Sequence, residues 1–108
     1  MRLSTFLPRC CGHLVLAACG LLGAAAAQAG DALKGRQLYT SHCAICHGPT
    51  GRSSMPGAPN FDRGEGLLRP DSDLLNSIRA GKNASPAYNG ILSDRDILDV
   101  VAFLRTLH

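Results

Sequence analysis

Two thiols and an imidazole lie within five consecutive residues, Cys43-Ala44-Ile45-Cys46-His47. Donors this close together suit a structural disulfide, a redox dithiol, a metal site, or thioether attachment of a haem. A zinc site calls for further ligands, and outside the first 29 residues the chain adds only His42 and His108 as imidazole or thiol donors. A thioredoxin-like pair belongs beside a βαβ pattern, and no such pattern is present. A disulfide gives no reason for histidine at the next position. Haem attachment accounts for all three residues. Two intervening residues let one helical turn carry both thiols to the vinyl groups of neighbouring pyrroles, and His47 then projects an imidazole towards iron. The expectation is one covalently bound haem c with its iron, attached through Cys43 and Cys46, with His47 as proximal axial ligand. No catalytic residue is expected.

The N-terminal third does not read as part of a folded domain. Arg2 and Arg9 precede an uncharged apolar run from Cys10 to Ala29 that ends Ala27-Gln28-Ala29. A positive start, an apolar stretch and small residues at the end form a secretory signal peptide, with cleavage expected before Gly30. The domain division is therefore residues 1–29 as signal peptide and 30–108 as the functional domain. A retained membrane anchor and a lipid attachment at Cys19, within Leu16-Ala17-Ala18-Cys19, are the alternatives. Each implies export, and cleavage leaves no membrane span. With Arg2 and Arg9 removed, the formal charge of +3 nearly vanishes. No basic run with interleaved aromatics points to nucleic acid. A domain this small needs a staple, and a covalent cofactor supplies one.

The elements that must position the donors follow from pattern and punctuation. Residues 31–41 predict a helix running into the Cys-x-x-Cys-His segment. The stretch from Gly48 to Pro70 is rich in Gly and Pro and predicts a loop. A short helix is expected over 71–80, capped by Asp71 or Ser72, with Leu74, Leu75 and Ile78 as its apolar face and Gly81 as its stop. Ser93 opens the last helix, with Asp96 at capping-box spacing. Ile97, Val101, Leu104 and Leu107 mark its buried face, Val100 and Phe103 widen it, and Asp99 and Arg105 lie off it. No strand alternation of useful length is present, so the fold class is all-α.

From Asp31 to Leu107 the chain resembles class I cytochromes c. Gly35 and Tyr39 match the small and aromatic positions of that family's N-terminal helix, and Val100, Phe103 and Leu104 match the C-terminal helix that crosses it. The resemblance implies the small fold in which these helices cross around one haem. Pro59 stands where the family places a proline whose carbonyl accepts the proximal imidazole N–H. The family's sixth iron ligand is commonly a Met just before a Pro-Ala-aromatic element. Here the segment reads Ala84-Ser85-Pro86-Ala87-Tyr88, so Ser85 occupies the ligand's place and methionine ligation from that position is excluded. Met55, Lys82, Tyr88, His108, water or an open position remain for the distal side. Arg63, Arg69 and Arg79 suit pairing with haem propionates and equally suit ordinary surface charge, so they are left out of the site.

The resemblance implies a mobile periplasmic one-electron carrier, not an enzyme, that docks transiently on redox protein partners. The run from Gly57 to Asp71 looks most like the small cytochromes accompanying the haem-d nitrite reductase of denitrifying bacteria, which makes that reductase a partner to consider. Two further readings stay open. Ser85 motivates a haem ligand-binding or sensor protein with an open sixth site, and the nitrite-reductase resemblance admits an assembly partner in haem-d biogenesis.

Overall fold

A computed structural model describes residues 29–108. Residues 1–28 fall outside the described part, and with them the signal-peptide reading and the lipid alternative at Cys19. Among the described residues are four helices, α1 (Ala32–His42), α2 (Ala44–His47), α3 (Asp71–Ala80) and α4 (Asp94–Leu104), and a 3₁₀ turn at Phe61–Arg63. Among the described residues the only β contact is an isolated bridge between Lys82 and Ser85. The all-α expectation therefore holds. No described helix is long and apolar enough to cross a membrane.

Each helix begins where a side chain or a fixed backbone satisfies its free N–H groups. Asp31 caps α1, its carboxylate accepting from Leu33 N at 2.9 Å and Lys34 N at 3.1 Å. Ser93 caps α4 in the expected capping box. Its hydroxyl accepts from Asp96 N at 3.1 Å while the Asp96 carboxylate accepts from Ser93 N at 3.1 Å. Helix α3 spans the expected residues with a different start. Pro70, not Asp71 or Ser72, holds the cap position, and no side chain bonds the first turn. The Asp71 carboxylate is engaged elsewhere, accepting from the Arg105 guanidinium at 2.7 Å, while the Pro70 carbonyl accepts from Asp73 and Leu74. Gly81 ends α3 with a φ of 73°, in the left-handed region that favours glycine.

The core forms where α1 crosses α4. Tyr39, Ile97, Val100, Val101, Phe103 and Leu104 are buried there, joined by Leu67, Leu74 and Leu92 from the connecting segments and α3. Burying a large apolar side chain contributes about 1.5–3 kcal/mol. The Tyr39 ring lies 5.2 Å from that of Phe103, so one aromatic from each helix fills the centre of the crossing. Gly35 makes the close approach possible. A Cβ on it would sit 1.9 Å from the Asp99 carbonyl oxygen and 3.0 Å from Val100 N. The expected role of Gly35 thus has a specific steric cause.

Asp99 corrects the sequence reading. It lies not off the buried face but within it, only 1 % exposed. A buried carboxylate is tolerated when its lone pairs are used. Here Asp31 N donates to Asp99 Oδ1 at 2.8 Å, and Lys34 and Arg95 each approach to 3.4 Å. The carboxylate therefore ties the start of α1 to the middle of α4. Leu107 falls beyond the end of α4 yet still packs on the core. Arg105 clamps the loop before α3, donating to the Leu67 carbonyl and, at 2.7 Å, to that of Arg69.

Candidate haem site

Cys43, Cys46 and His47 occupy a single turn. Both Cys46 N and His47 N donate to the Cys43 carbonyl, at 3.2 and 3.0 Å, and the Cys43 N–H closes onto Tyr39 at 2.8 Å. All three side chains consequently line one cavity of about 320 Å³, whose floor includes Ile78, Val100 and Leu104. Both cysteines are free thiols, half-buried and not joined in a disulfide. Burial, and secondarily the neighbouring Cys46, pushes the Cys43 thiol up to about 11. Among the described residues no group of three His, Cys, Asp or Glu side chains is placed to hold a metal ion.

His47 is oriented from three directions. Its Nδ1 lies 3.3 Å from the Pro59 carbonyl oxygen, so the tautomer with a proton on Nδ1 donates there and leaves Nε2 its lone pair. The ring stacks on Phe61, with centroids 4.4 Å apart and planes inclined by 23°. Its backbone is held by the Tyr39 hydroxyl, which donates to the Gly48 carbonyl at 2.6 Å and reaches that of His47 at 3.3 Å. Burial, with a smaller contribution from Cys43, pushes Tyr39 up to about 12, so it stays a donor throughout the neutral range. The loop beyond folds back on the same turn, with Ser54 N and Met55 N both donating to the Cys46 carbonyl. Asn60 fixes that return by accepting from Ser53 N at 2.9 Å.

The opposite side is built from the segment after α3. Lys82, Ser85 and Tyr88 all line the cavity, as does Met55 from the loop near His47. Lys82 and Ser85 close a tight turn, Ser85 N donating to Lys82 O at 2.9 Å, with Asn83 at a φ of 55°. Tyr88 donates its hydroxyl to the His42 carbonyl at 2.6 Å, and the His42 ring meets it edge-on at 5.8 Å. His108 is not brought to this site. Its ring lies beside Gly64. Nor are Arg69 and Arg79 free for a cofactor's carboxylates. Arg69 donates to Ser77 Oγ and the Asp73 carbonyl, and Arg79 pairs with Asp94.

Sequence reasoning located the donor turn and Pro59. It missed Phe61 and Asn60, whose neighbours in a Gly/Pro-rich loop carry no periodic signal, and the hydroxyl of Tyr39, read there as a packing aromatic. These residues fit a haem. Two thiols one turn apart face the same apolar cavity as an imidazole whose ring is already fixed by a carbonyl acceptor and an aromatic plane. When bound, that group supplies one-electron exchange at its iron. The chain's part would be to orient His47, to anchor two edges of the macrocycle through Cys43 and Cys46, and to present an apolar floor of Ile78, Val100 and Leu104.

A helical shell folded around this turn defines a c-type cytochrome. A profile described as "Cytochrome C oxidase, cbb3-type, subunit III" matches residues 30–104. The chain is 33% identical over 84 residues to cytochrome c6 of Bumilleriopsis filiformis, covering 68% of this chain and 88% of that one. It is 32% identical over 83 residues to cytochrome c6 of Thermostichus vulcanus, covering 73% and 72%. It is 30% identical over 78 residues to cytochrome c6 of Gracilaria tenuistipitata var. liui, covering 70% and 72%. The chain belongs to the class I mono-haem cytochrome c family. It is accordingly an electron carrier rather than an enzyme, with one covalent haem c and its iron as cofactor.

Proposed function

We propose that the protein is a periplasmic carrier that holds its haem through Cys43 and Cys46, ligates iron with His47, and passes single electrons to or from a respiratory protein partner. The observation that carries this reading is the donor turn itself, with His47 Nδ1 3.3 Å from Pro59 O and both thiols on the same cavity. A carbonyl acceptor on the far nitrogen fixes the ring and makes it a more basic ligand. Export as a signal-bearing precursor is supported by the charge and apolar pattern of residues 1–29. Removal before Gly30 would leave the folded part without a membrane span.

The partner is proposed from the loop between Gly57 and Asp71, whose resemblance to small cytochromes of the haem-d nitrite reductase system makes that reductase the first partner to test. The half-exposed Met55 lines the cavity, and Ile45, between the two cysteines, is exposed on the same turn, so both are available to such a partner. Contacts of this kind are small and transient.

The test uses the full chain expressed with c-type maturation in a bacterial periplasm. Haem that stays with the polypeptide under denaturing conditions, with removal of the leader read by intact mass, is the expected result. Reduced protein should then be reoxidised by purified haem-d nitrite reductase. Retained haem with no transfer to that reductase, but rapid transfer to another terminal oxidase, would redirect the partner and leave the carrier reading standing.

A further inference from the structure

On the side facing Ser85 the described residues offer iron no strong donor, and each nearby candidate is held elsewhere by its own contacts. Met55 is rooted on the wrong wall. Its N–H donates to Cys46 O at 3.2 Å and its carbonyl accepts from Ser53 Oγ at 2.7 Å, in the loop that ends at Pro59, the acceptor for His47. Tyr88 has committed its hydroxyl proton to the His42 carbonyl. Lys82 has its carbonyl bonded by Ser85 N at 2.9 Å, in a tight turn that fixes the path of the chain there. His108 lies beside Gly64.

The distal segment is also not free to bring in a substitute. The Lys82–Ser85 turn closes at 2.9 Å, and Tyr88 N and Asn89 N donate to Ile78 O and Arg79 O at the end of α3. At Gly81 a Cβ would lie 2.8 Å from both Ser85 O and Ala87 N, so the strand of chain carrying Ser85 rests directly on the helix stop. Ser85 therefore stays where its backbone is. Its Oγ is one bond from Cβ, where a methionine sulfur is two bonds away, and a neutral hydroxyl binds iron poorly. The shortfall leaves space for one molecule the size of water.

We infer that the sixth iron position, on the Ser85 side, is exchangeable, holding water at rest and accepting small uncharged diatomic molecules of the carbon monoxide or nitric oxide kind. The inference rests on the haem reading above. Polarity, hydrogen-bond donors and access on the distal side decide what an iron of this sort does with a ligand. The lining here combines apolar Ala84, Pro86, Val100 and Leu104 with polar Lys82, Asn83, Ser85 and Tyr88, so the selection of neutral diatomic molecules rests on the iron and not on the lining. Among the described residues no carboxylate lines the cavity, and Tyr88 has committed its hydroxyl to His42 O, so the position suits binding, not cleavage. Association forms one iron–ligand bond and releases one water, with no change in electron count. Because such ligands prefer ferrous iron, binding and electron retention are linked reciprocally. A carrier with the diatomic bound keeps its electron.

The experiment is the absorption spectrum of the haem-loaded protein, ferric and ferrous, titrated with carbon monoxide, beside the Ser85→Met variant. The wild type is expected to be high-spin when ferric and to shift on adding carbon monoxide when ferrous. Ser85→Met is expected to become low-spin. Its carbon monoxide affinity should fall at least about tenfold, as follows when the entering ligand must displace a group that fills the position nine-tenths of the time. A low-spin wild type insensitive to carbon monoxide overturns the inference. The haem content of the same samples, measured after denaturation in pyridine, separates the two readings. Absence of covalent haem defeats the cofactor assignment and this inference together, whereas full haem with no carbon monoxide response defeats this inference alone. If Ser85→Met does not fold, the wild-type titration decides.

Discussion

The two walls of the cavity are built to different standards. On the His47 wall a ring is held by a carbonyl at 3.3 Å and an aromatic plane at 4.4 Å. Its backbone is held by a buried tyrosine hydroxyl, and the following loop returns to bond Cys46. On the Ser85 wall residues 82–87 are exposed, their one internal backbone bond closes a turn, and the tie to α3 comes from the residues that follow, Tyr88 N and Asn89 N. One wall fixes side chains, the other fixes only the path of the chain. A one-electron centre needs the first, because ligand basicity and ring angle set the potential. The second is what an exchangeable position requires, since nothing fills it permanently.

The sharpest way to break this contrast is to remove the anchors of the first wall. Replacing Cys43 and Cys46 together by Ala is expected to abolish all haem that survives denaturation, and with it every spectral difference between the walls. His47→Ala keeps both thiols, so covalent haem should persist while the protein loses its proximal imidazole. An unchanged spectrum in His47→Ala would mean that another residue ligates iron, and the contrast would be drawn at the wrong place.

Next in size is the crossing that supports both walls. Gly35→Ala places a Cβ 1.9 Å from the backbone oxygen of Asp99. Backbone cannot swing aside as a side chain does, so α1 and α4 must separate. The expected loss is about 3 kcal/mol, the upper part of the usual overpacking range, against a helix-propensity gain of about 1 kcal/mol. Denaturant midpoints of the loaded protein would read it. A stability unchanged within error would show that the helices already have slack at Gly35.

Tyr39→Phe acts on one wall alone. It keeps the ring against Phe103 and removes the hydroxyl that donates to Gly48 O at 2.6 Å. A buried carbonyl left without its donor costs about 1–3 kcal/mol. The variant should lose stability by that order while its carbon monoxide response stays as in the wild type. A changed response would mean that the walls communicate through the α1–α2 turn.

These residues also mark how much the sequence discloses. The donor turn was legible because thioether chemistry requires two cysteines at a fixed spacing with histidine adjoining. Helices α3 and α4 were legible because apolar residues recur at three and four positions. Asp99 was not. A carboxylate on a helix reads as solvated unless one knows that Asp31 N, Lys34 and Arg95 converge on it from two elements. The cap of α3 failed for a related reason, since the Asp71 side chain is drawn off by Arg105, 34 residues later. Local rules predict local partners. Where a polar group is claimed by a distant one, only the fold reveals it.

The smallest expected effect lies farthest from both walls, and it serves as the control. Asp96 accepts from Lys34 Nζ at 2.6 Å and from Ser93 Oγ at 2.7 Å. The Lys34 hydrogen bond first, and Ser93 second, lower its carboxyl from 3.8 to about 2, while Asp96 in turn raises Lys34. As pH falls, the unfolded chain takes up this proton before the folded one. The contribution is therefore complete above about pH 4 and is lost as pH falls towards about 2. Lys34→Met removes the pair together with the 3.4 Å contact of Lys34 to Asp99, which keeps Asp31 N and Arg95, and leaves the Ser93–Asp96 capping box intact. Its melting temperature should be only slightly below wild type near pH 6, because both partners are partly exposed and screened, and should converge on it as pH falls towards about 2. The carbon monoxide titration should be identical in the two proteins at pH 7. A difference there would show that the exposed edge of the α1–α4 crossing reaches the Ser85 wall, and the independence of the two walls from the rest of the shell would fail.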